Sequence, residues 1–488
     1  MRRYCQKIEI ASGFPTQNRA KTWLNTALVS LMVAGCVHAQ SGVVVEDHVL
    51  PDISLQTFVN GYLPGAILAN TYKLGGVGSG IWHGPGDGPG IFWMITDRGP
   101  NPQTTAIVNS TATTVRAFPE PGFTPFILKV RAEGGTISIL EAYPIVTGSN
   151  GPATGLPNDP PPPSPAGTIA LGDEQPYSCT GAFLGGNTTE PVKILGNVNG
   201  HDTEDIVRDV FGNFWTIEEY GPSITKIDAT GHILKRFVPR GRESVMISGP
   251  QAIGNLPEIL GKRPRNRGFE GLAITPDQKT LMAIVQSPLT NPSATVGNRS
   301  RVIRLIAFDV VTEMPTAEYV YVMQGVNEFA PSPNNPTEMK ISSIASLDQW
   351  RFIVDERTDL RAKIFRVDIR NATNILGSKW DLLATSPSLE SFAAYIVGLN
   401  TVTNTLAENL VQELGKELVL DLGTLRQPDG TLYPTPQKIE GMTVLNGKTI
   451  AFANDNDFGV SANCTDILPT KSRIFIVNLD HPIRQDLF

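Results

Sequence analysis

Five stretches of this chain share one layout, and that repeat limits the fold more than any other feature. Each has a short strand opening on an acidic or small polar residue, a turn, and a second strand ending in carboxylates or amides about 15 residues later. The best-matched pair is GFEGLAITPDQKTLMAIVQSPL (Gly268 to Leu289) and KIEGMTVLNGKTIAFANDNDFG (Lys438 to Gly459). The stretch from His201 to Pro222 repeats it with Glu204 and Asp205 first and Glu218 and Glu219 second. Lys340 to Asp359 puts serines first and Asp355 and Glu356 second, and a further copy ends on Asp97 and Arg98. A supersecondary unit recurring at tens of residues is the mark of a repeat architecture. Because the same polar end recurs, the units are expected to aim their acids at one place.

Each unit extends to about four strands through hairpin-type turns such as Glu133-Gly134-Gly135 and Ala229-Thr230-Gly231. The expected fold is therefore all-β and propeller-like, a single domain over residues 40–488 with five or six four-stranded blades. The last unit ends one strand short, at Arg473 to Leu479. A ring closes when one terminus lends the missing strand to the other terminal blade, and Val43 to Leu50 is the candidate. A sixth blade has room only between Leu382 and Leu422, where the pattern is lost. Within that stretch Leu389 to Leu414 carries apolar residues at three- and four-residue spacings, which predicts a helical insertion. Gly148 to Gly167, with four consecutive prolines from Pro160 to Pro163, predicts an extended surface loop.

Residues 1–39 read as an export leader: Arg19 and Lys21 precede the apolar run Trp23 to Val37, and Val37-His38-Ala39 offers a cleavage site. Met32 to Cys36 also resembles a lipobox, so a lipid anchor on Cys36 stands beside cleavage after Ala39. The run is too short for a stable membrane span. The expected location is secreted or periplasmic, with no transmembrane segment in the mature chain, which is expected to act as a monomer. Past the leader only Cys179 and Cys464 remain. An exported protein invites a disulfide between them, with two buried thiols as the alternative. Glycosylation tripeptides begin at Asn109, Asn187, Asn298, Asn371 and Asn463. A net charge of −7, with 18% charged residues and no basic stripe, argues against nucleic acid as a partner.

Oxygen-rich strand ends gathered round an axis repel one another unless something positive sits among them. A hard cation such as calcium takes six to eight oxygen ligands of this kind. The candidate ligands are Asp97, Glu218, Glu219, Glu270, Glu356, Glu440, Asp455 and Asp457; Arg98 and Arg357 are candidate anion clamps, and with them Glu219 is a candidate catalytic residue. Glu270 and Glu440 occupy equivalent places, each followed by Gly and a large aliphatic residue, so a shared task is expected. The alternative is that these groups only cap strands and bind nothing. No zinc-protease motif, Cys-x-x-Cys, Walker loop or serine-hydrolase elbow is present, and no general base is evident.

The set Asp97-Arg98-Gly99, Glu218-Glu219-Tyr220-Gly221-Pro222, Gly268 to Leu272, Asp355-Glu356-Arg357, and Glu440-Gly441 with Asn454 to Asp457 resembles the phytase-like family, also called esterase-like activity of phytase. The likeness runs in order from about Tyr62 to Leu479. It implies an exported propeller-like protein that hydrolyses phosphoric or other esters of small anionic substrates. The rival is a non-catalytic propeller that binds a ligand or partner around a structural cation. Gln286 departs from the pattern, standing where an acid would ligate more strongly.

Overall fold

Short runs rich in Val, Ile and aromatic residues, each closed by a turn, become strands whose two faces are both covered by neighbouring sheets. Such strands read as continuous apolar stretches rather than alternating ones. The computed structural model describes residues 39–68, 71–147, 151–158, 174–180, 190–243, 252–329, 335–383, 385–465 and 467–483. The expected leader, except Ala39, lies outside them, as do Asn187 and most of the proline-rich segment.

Strand β1 (Gly42–Val49) precedes one short helix, α1 (Leu55–Tyr62), which Ser54 caps. The first sheet is built from β2 (Val77–Trp82), β3 (Ile91–Thr96), β6 (Phe126–Glu133) and β7 (Thr136–Pro144). Between β3 and β6 the chain throws out a hairpin, β4 (Gln103–Val108) and β5 (Thr111–Ala117), which the short β8 (Pro176–Tyr177) joins. The second sheet runs β9 (Thr203–Arg208), β10 (Phe214–Glu218), β11 (Ser223–Ile227), β12 (Ile233–Pro239) and β13 (Ala252–Leu256). The third runs β14 (Phe269–Ile274), β15 (Thr280–Val285), β16 (Val302–Asp309) and β17 (Met314–Val322). In the fourth, β18 (Lys340–Ser346), β19 (Arg351–Arg357) and β20 (Ala362–Asp368) precede a separate hairpin, β21 (Ala393–Ile396) and β22 (Thr401–Asn404); β23 (Gly415–Asp421) then completes the sheet. The last is β24 (Ile439–Asn446), β25 (Thr449–Asn454) and β26 (Arg473–Leu479).

The first strands of the five sheets pack in cyclic order: β2 touches β9, β9 touches β14, β14 touches β18, β18 touches β24, and β24 returns to β2. The ring closes as the sequence predicts. β1 pairs antiparallel along β26, from Gly42 opposite Leu479 to Val49 opposite Arg473, and supplies the fourth strand of the last sheet. Apolar side chains fill the wedges between sheets. Trp215, Phe237 and Phe308 stack between the second and third, with ring centroids 4.9–6.1 Å apart. Cys179 and Cys464 are joined in a disulfide.

One expectation is corrected. Residues 389–414 form no long helix; two single 3₁₀ turns, Leu389–Ser391 and Ala407–Asn409, flank the β21–β22 hairpin. Gly398 and Asn400 take positive φ of 91° and 52°, which turns the chain. The apolar spacing reflects packing: Leu389, Phe392, Ala393, Leu406 and Val411 bury themselves on Val302 and Val320 of the third sheet. The stretch between Leu382 and Leu422 thus contributes this hairpin and β23.

Candidate functional site

In every unit the start of the first strand pairs with the end of the second. The pairs are Val77 with Thr96, Thr203 with Glu218, Phe269 with Val285, Lys340 with Arg357, and Ile439 with Asn454. Both polar ends of each unit therefore come out at the same rim. A register shift falls at the same point of all five pairs and leaves Gly78-Ser79, Glu204, Glu270, Ser342 and Glu440 unpaired in turn. A bulge re-aims the extra residue. Four of these bulges point Glu204, Glu270 and Glu440 into one cavity and place Ser342 beneath Arg357, whose Nε donates to its hydroxyl at 2.6 Å. The equivalence of Glu270 and Glu440 is thus a matter of register, and Glu204 shares it. Glycines make room for the bulges: a Cβ on Gly78 would lie 2.1 Å from the Asn454 carbonyl oxygen, and one on Gly271 2.8 Å from the Ile344 nitrogen.

The cavity holds about 820 Å³, and charged side chains make up most of its lining. Of the expected residues, Asp97, Arg98, Glu219, Glu270, Arg357, Glu440, Asp455 and Asp457 line it. Glu218 and Glu356 do not. Glu218 turns back to accept hydrogen bonds from the Tyr220 and Gly221 amides and the Ser223 hydroxyl at 3.0–3.2 Å. Glu356 lies on the opposite face of β19 from Asp355 and Arg357, where it accepts from Tyr321, Lys416 and the Gln324 amide. These two cap strands and bridge sheets.

The remaining charges sort into paired and unpaired. Arg98 donates to Asp202 at 2.9 Å and Glu174 at 3.1 Å, and also contacts Asn266. Arg357 pairs with Glu440 and, at 3.2 Å, with Asp359, which also takes Lys340 at 2.9 Å. The Lys438 ammonium sits among Asp457, Asp455 and Glu440, at 3.5 Å from Asp455 and 3.9 Å from Glu440. Although burial works to raise it, this ammonium holds Asp457 down to about 2.

Among the described residues, Asp97, Glu204, Glu219 and Glu270 have no cation at salt-bridge distance. Their protonation shows the strain. Burial, reinforced by Asp202, pushes Asp97 up to about 8. Burial, with Glu440 adding to it, pushes Glu270 to about 7. Burial and the neighbouring Glu270 drive Glu204 and Glu219 well above the carboxylate range. The Gln286 amide, in the place the sequence marks as a departure, donates to Glu219 at 2.8 Å and fixes its direction. Carboxylate oxygens of Asp202, Glu204 and Glu219 can approach within 4.8 Å of one another, and those of Asp97, Asp455 and Asp457 do the same. In the second group Asp455 and Asp457 hold the Lys438 ammonium; in the first, Arg98 pairs with Asp202, while Glu204 and Glu219 have no cation at salt-bridge distance among the described residues. The Oε2 atom of Glu270 beside the first group is buried without a hydrogen-bond partner. An all-oxygen donor set with an orphaned carboxylate oxygen fits a hard divalent cation.

Asp202, Glu174 and the basic loop 263–268 escape the repeat logic. Asp202 precedes its strand by one residue, and Glu174 and the loop lie between units. Glu204 does carry a signal, its match to the Glu270 and Glu440 positions.

A family model described as "Phytase-like: Esterase-like activity of phytase" matches residues 73–458. An uncharacterized secreted protein of Arthroderma benhamiae is 28% identical over 301 residues, 56% of this chain and 56% of that protein, so the chain spans about half the length of that curated relative. Among solved structures, hydrazine synthase of Kuenenia stuttgartiensis aligns over 87% of this chain and 100% of its own at 11% identity and a TM-score of 0.33. A luciferin-regenerating enzyme aligns over 83% and 92% at 11% identity and 0.31.

Proposed function

The chain belongs to the phytase-like family, and from that premise we propose that it is an exported, five-bladed propeller that hydrolyses phosphoric or other anionic esters with the help of a calcium-like cation. Residues 1–39 act as its leader and 40–488 as one monomeric domain. Export is supported by the secreted relative and by the disulfide between the two cysteines that remain past the leader. The five-blade reading rests on the cyclic packing of five first strands.

The observation that carries the chemistry is the buried group of carboxylates in which, among the described residues, Glu204, Glu219 and Glu270 have no cation at salt-bridge distance and Arg98 holds only Asp202. Asp202, Glu204, Glu219 and Glu270 would hold the ion, which when bound supplies polarisation of the ester and acidifies water. The chain's part is orientation. Gln286 fixes Glu219, and Arg98 fixes Asp202. Arg357 holds Glu440 and sets a positive wall beside the floor. Burial and the neighbouring Glu270 hold the Glu219 carboxyl well above the usual carboxylate range, so on taking the ion as a ligand it would release its proton to solvent.

A second reading is favoured by one observation: Arg98 and Arg357, the expected clamps, are saturated by carboxylates. On that reading the ring is a binding module around a structural ion. Purified protein assayed on phosphomonoesters, phytate and short acyl esters separates the two. Turnover abolished by chelator and restored by calcium is expected. Turnover that survives excess chelator unchanged overturns the cation-assisted mechanism, and no turnover on any ester favours the binding module.

A further inference from the structure

The cavity is lined by seven cations, and five are already committed. Arg98, Arg116, Lys340, Arg357 and Lys438 each lie at salt-bridge distance from a carboxylate. Among the described residues, Arg265 and Arg267 meet no carboxylate at that distance. The nearest polar partner of Arg267 is the Ser287 hydroxyl, 3.1 Å from its Nη1.

Both arginines sit on the loop that enters β14, and its backbone is firmly placed. Gly268 is pressed against β10's end: a Cβ there would lie 2.3 Å from the Glu219 carbonyl oxygen, so only glycine fits. The backbone N–H of Gln286 donates to the Gly268 carbonyl at 2.8 Å. Two residues earlier Asn266 takes a positive φ of 51° and accepts a hydrogen bond from Arg98. The loop is thus tied to the acid floor at one end and to Arg98 at its tip. Arg267, between these ties, is half-buried, and Arg265 stands exposed at the mouth. Glu219 and Glu270 are the carboxylates whose fields act most strongly on Arg267, though neither is in contact with it. Arg267, Glu219 and Glu270 all line the same cavity.

We propose that Arg267, with Arg265 at the rim, is the subsite that recognises the phosphoryl oxyanion of the substrate. The inference rests on the reading of this cavity as an anionic-ester site. An oxyanion between Arg267 and a floor-bound cation would be neutralised from both sides, and the planar guanidinium suits bidentate contact with two phosphoryl oxygens. A partly desolvated guanidinium without a carboxylate has the most to gain from an anion, whereas Arg98 and Arg357 would first have to release theirs.

Inorganic phosphate is the probe, titrated calorimetrically into the full mature chain at fixed ionic strength. Arg267→Gln is expected to weaken phosphate about tenfold or more, with Arg267→Lys recovering only part because the fork is lost. Arg265→Gln, exposed and screened, should cost about two- to threefold, and because its side chain packs against little it keeps the test alive if Arg267→Gln fails to fold. Thermal unfolding at the wild-type midpoint certifies each variant. Phosphate affinity unchanged in folded Arg267→Gln, no loss in Arg265→Gln where Arg267→Gln cannot be folded, or no phosphate binding by the wild type overturns the subsite. The two readings fail separately. Phosphate binding through Arg267 without turnover of any ester sinks the hydrolase and leaves the subsite. Phosphomonoester turnover with an unchanged KM in Arg267→Gln sinks the subsite and leaves the hydrolase.

Discussion

Glu270 and Glu440 sit at matching bulges yet live in different electrostatic surroundings. Glu440 is held by Arg357 and Lys438, while Glu270 has an orphaned oxygen and no cation at salt-bridge distance. A carboxyl whose folded pKa is raised above its unfolded value, near 4.3 for Glu, stabilises the fold below that value and loses the contribution as pH climbs through the folded pKa. For Glu270 the window runs from the unfolded value to about 7, and for Asp97 to about 8. In chelator, the melting temperature is expected to fall between pH 5 and 8, and calcium should suppress the fall by binding the ionised native state. Glu270→Gln mimics the protonated acid. At pH 8 it should melt about 2–4 °C above wild type in chelator and below it in saturating calcium, whereas Glu440→Gln should melt lower in both because it takes one buried carboxylate away from Arg357 and Lys438. Differential scanning calorimetry decides. The same sign for both variants in chelator would remove Glu270 from the cation site. The sequence shows that both glutamates share a position, since FEG and IEG align, but not that one is neutralised; that depends on Arg357, brought in from β19, and on how Lys438, two residues before Glu440, turns towards it.

Elements whose signal is local were legible, and those that depend on a neighbour were not. Runs such as IFWMIT and TIAFAN are strands because β-branched and aromatic residues follow one another between turns. Residues 389–414 offer only apolar spacing, and period alone cannot separate a helix from loops packed on a sheet. The deciding contacts are tertiary: the Arg301 amide donates to the Ala393 carbonyl and the Tyr395 amide to the Arg299 carbonyl, each at 2.8 Å. Below the insertion lies a buried ionic knot. Arg304, fully buried on β16, bonds Glu318 at 2.6 Å and Glu390 at 2.9 Å and lies 3.6 Å from Asp381. It thereby ties the hairpin segment to the third sheet. Burial, only partly offset by Arg304, already pushes Glu318 up to about 8. Arg304→Met leaves buried acids without a counter-ion and is expected to cost about 3–5 kcal/mol in urea unfolding. A loss below about 1 kcal/mol, the scale of an exposed pair, would show that the knot does not anchor the insertion.

At the scale of the whole molecule the ring depends on two links between distant parts of the chain. The Cys179–Cys464 bridge, 285 residues apart in sequence, joins segments that both reach the cavity mouth: Glu174 lies five residues before one cysteine, and Ser461 and Ala462 just before the other. The second link is β1. Its place was legible because the last unit visibly lacks a strand, and a sheet edge left open is a template for another chain. Val44 of β1 is buried with Val477 and Leu479 of β26, with Leu420 of the fourth sheet and with Leu425 just beyond it, so the strand seals a core as well as an edge. A Cβ on Gly42 would come within 3 Å of Val477 and Leu425, which shows how closely the strand's start is seated. A chain beginning at Leu50 therefore uncovers the ladder groups of β26 together with this apolar seam. It is expected to unfold several degrees lower and to self-associate as concentration rises, read by sedimentation velocity. The disulfide would still hold the first and last units near one another, so the loss should appear as association more than as global unfolding. A truncated chain that stays monomeric and melts with the full-length protein would mean that β26 closes the last sheet unaided.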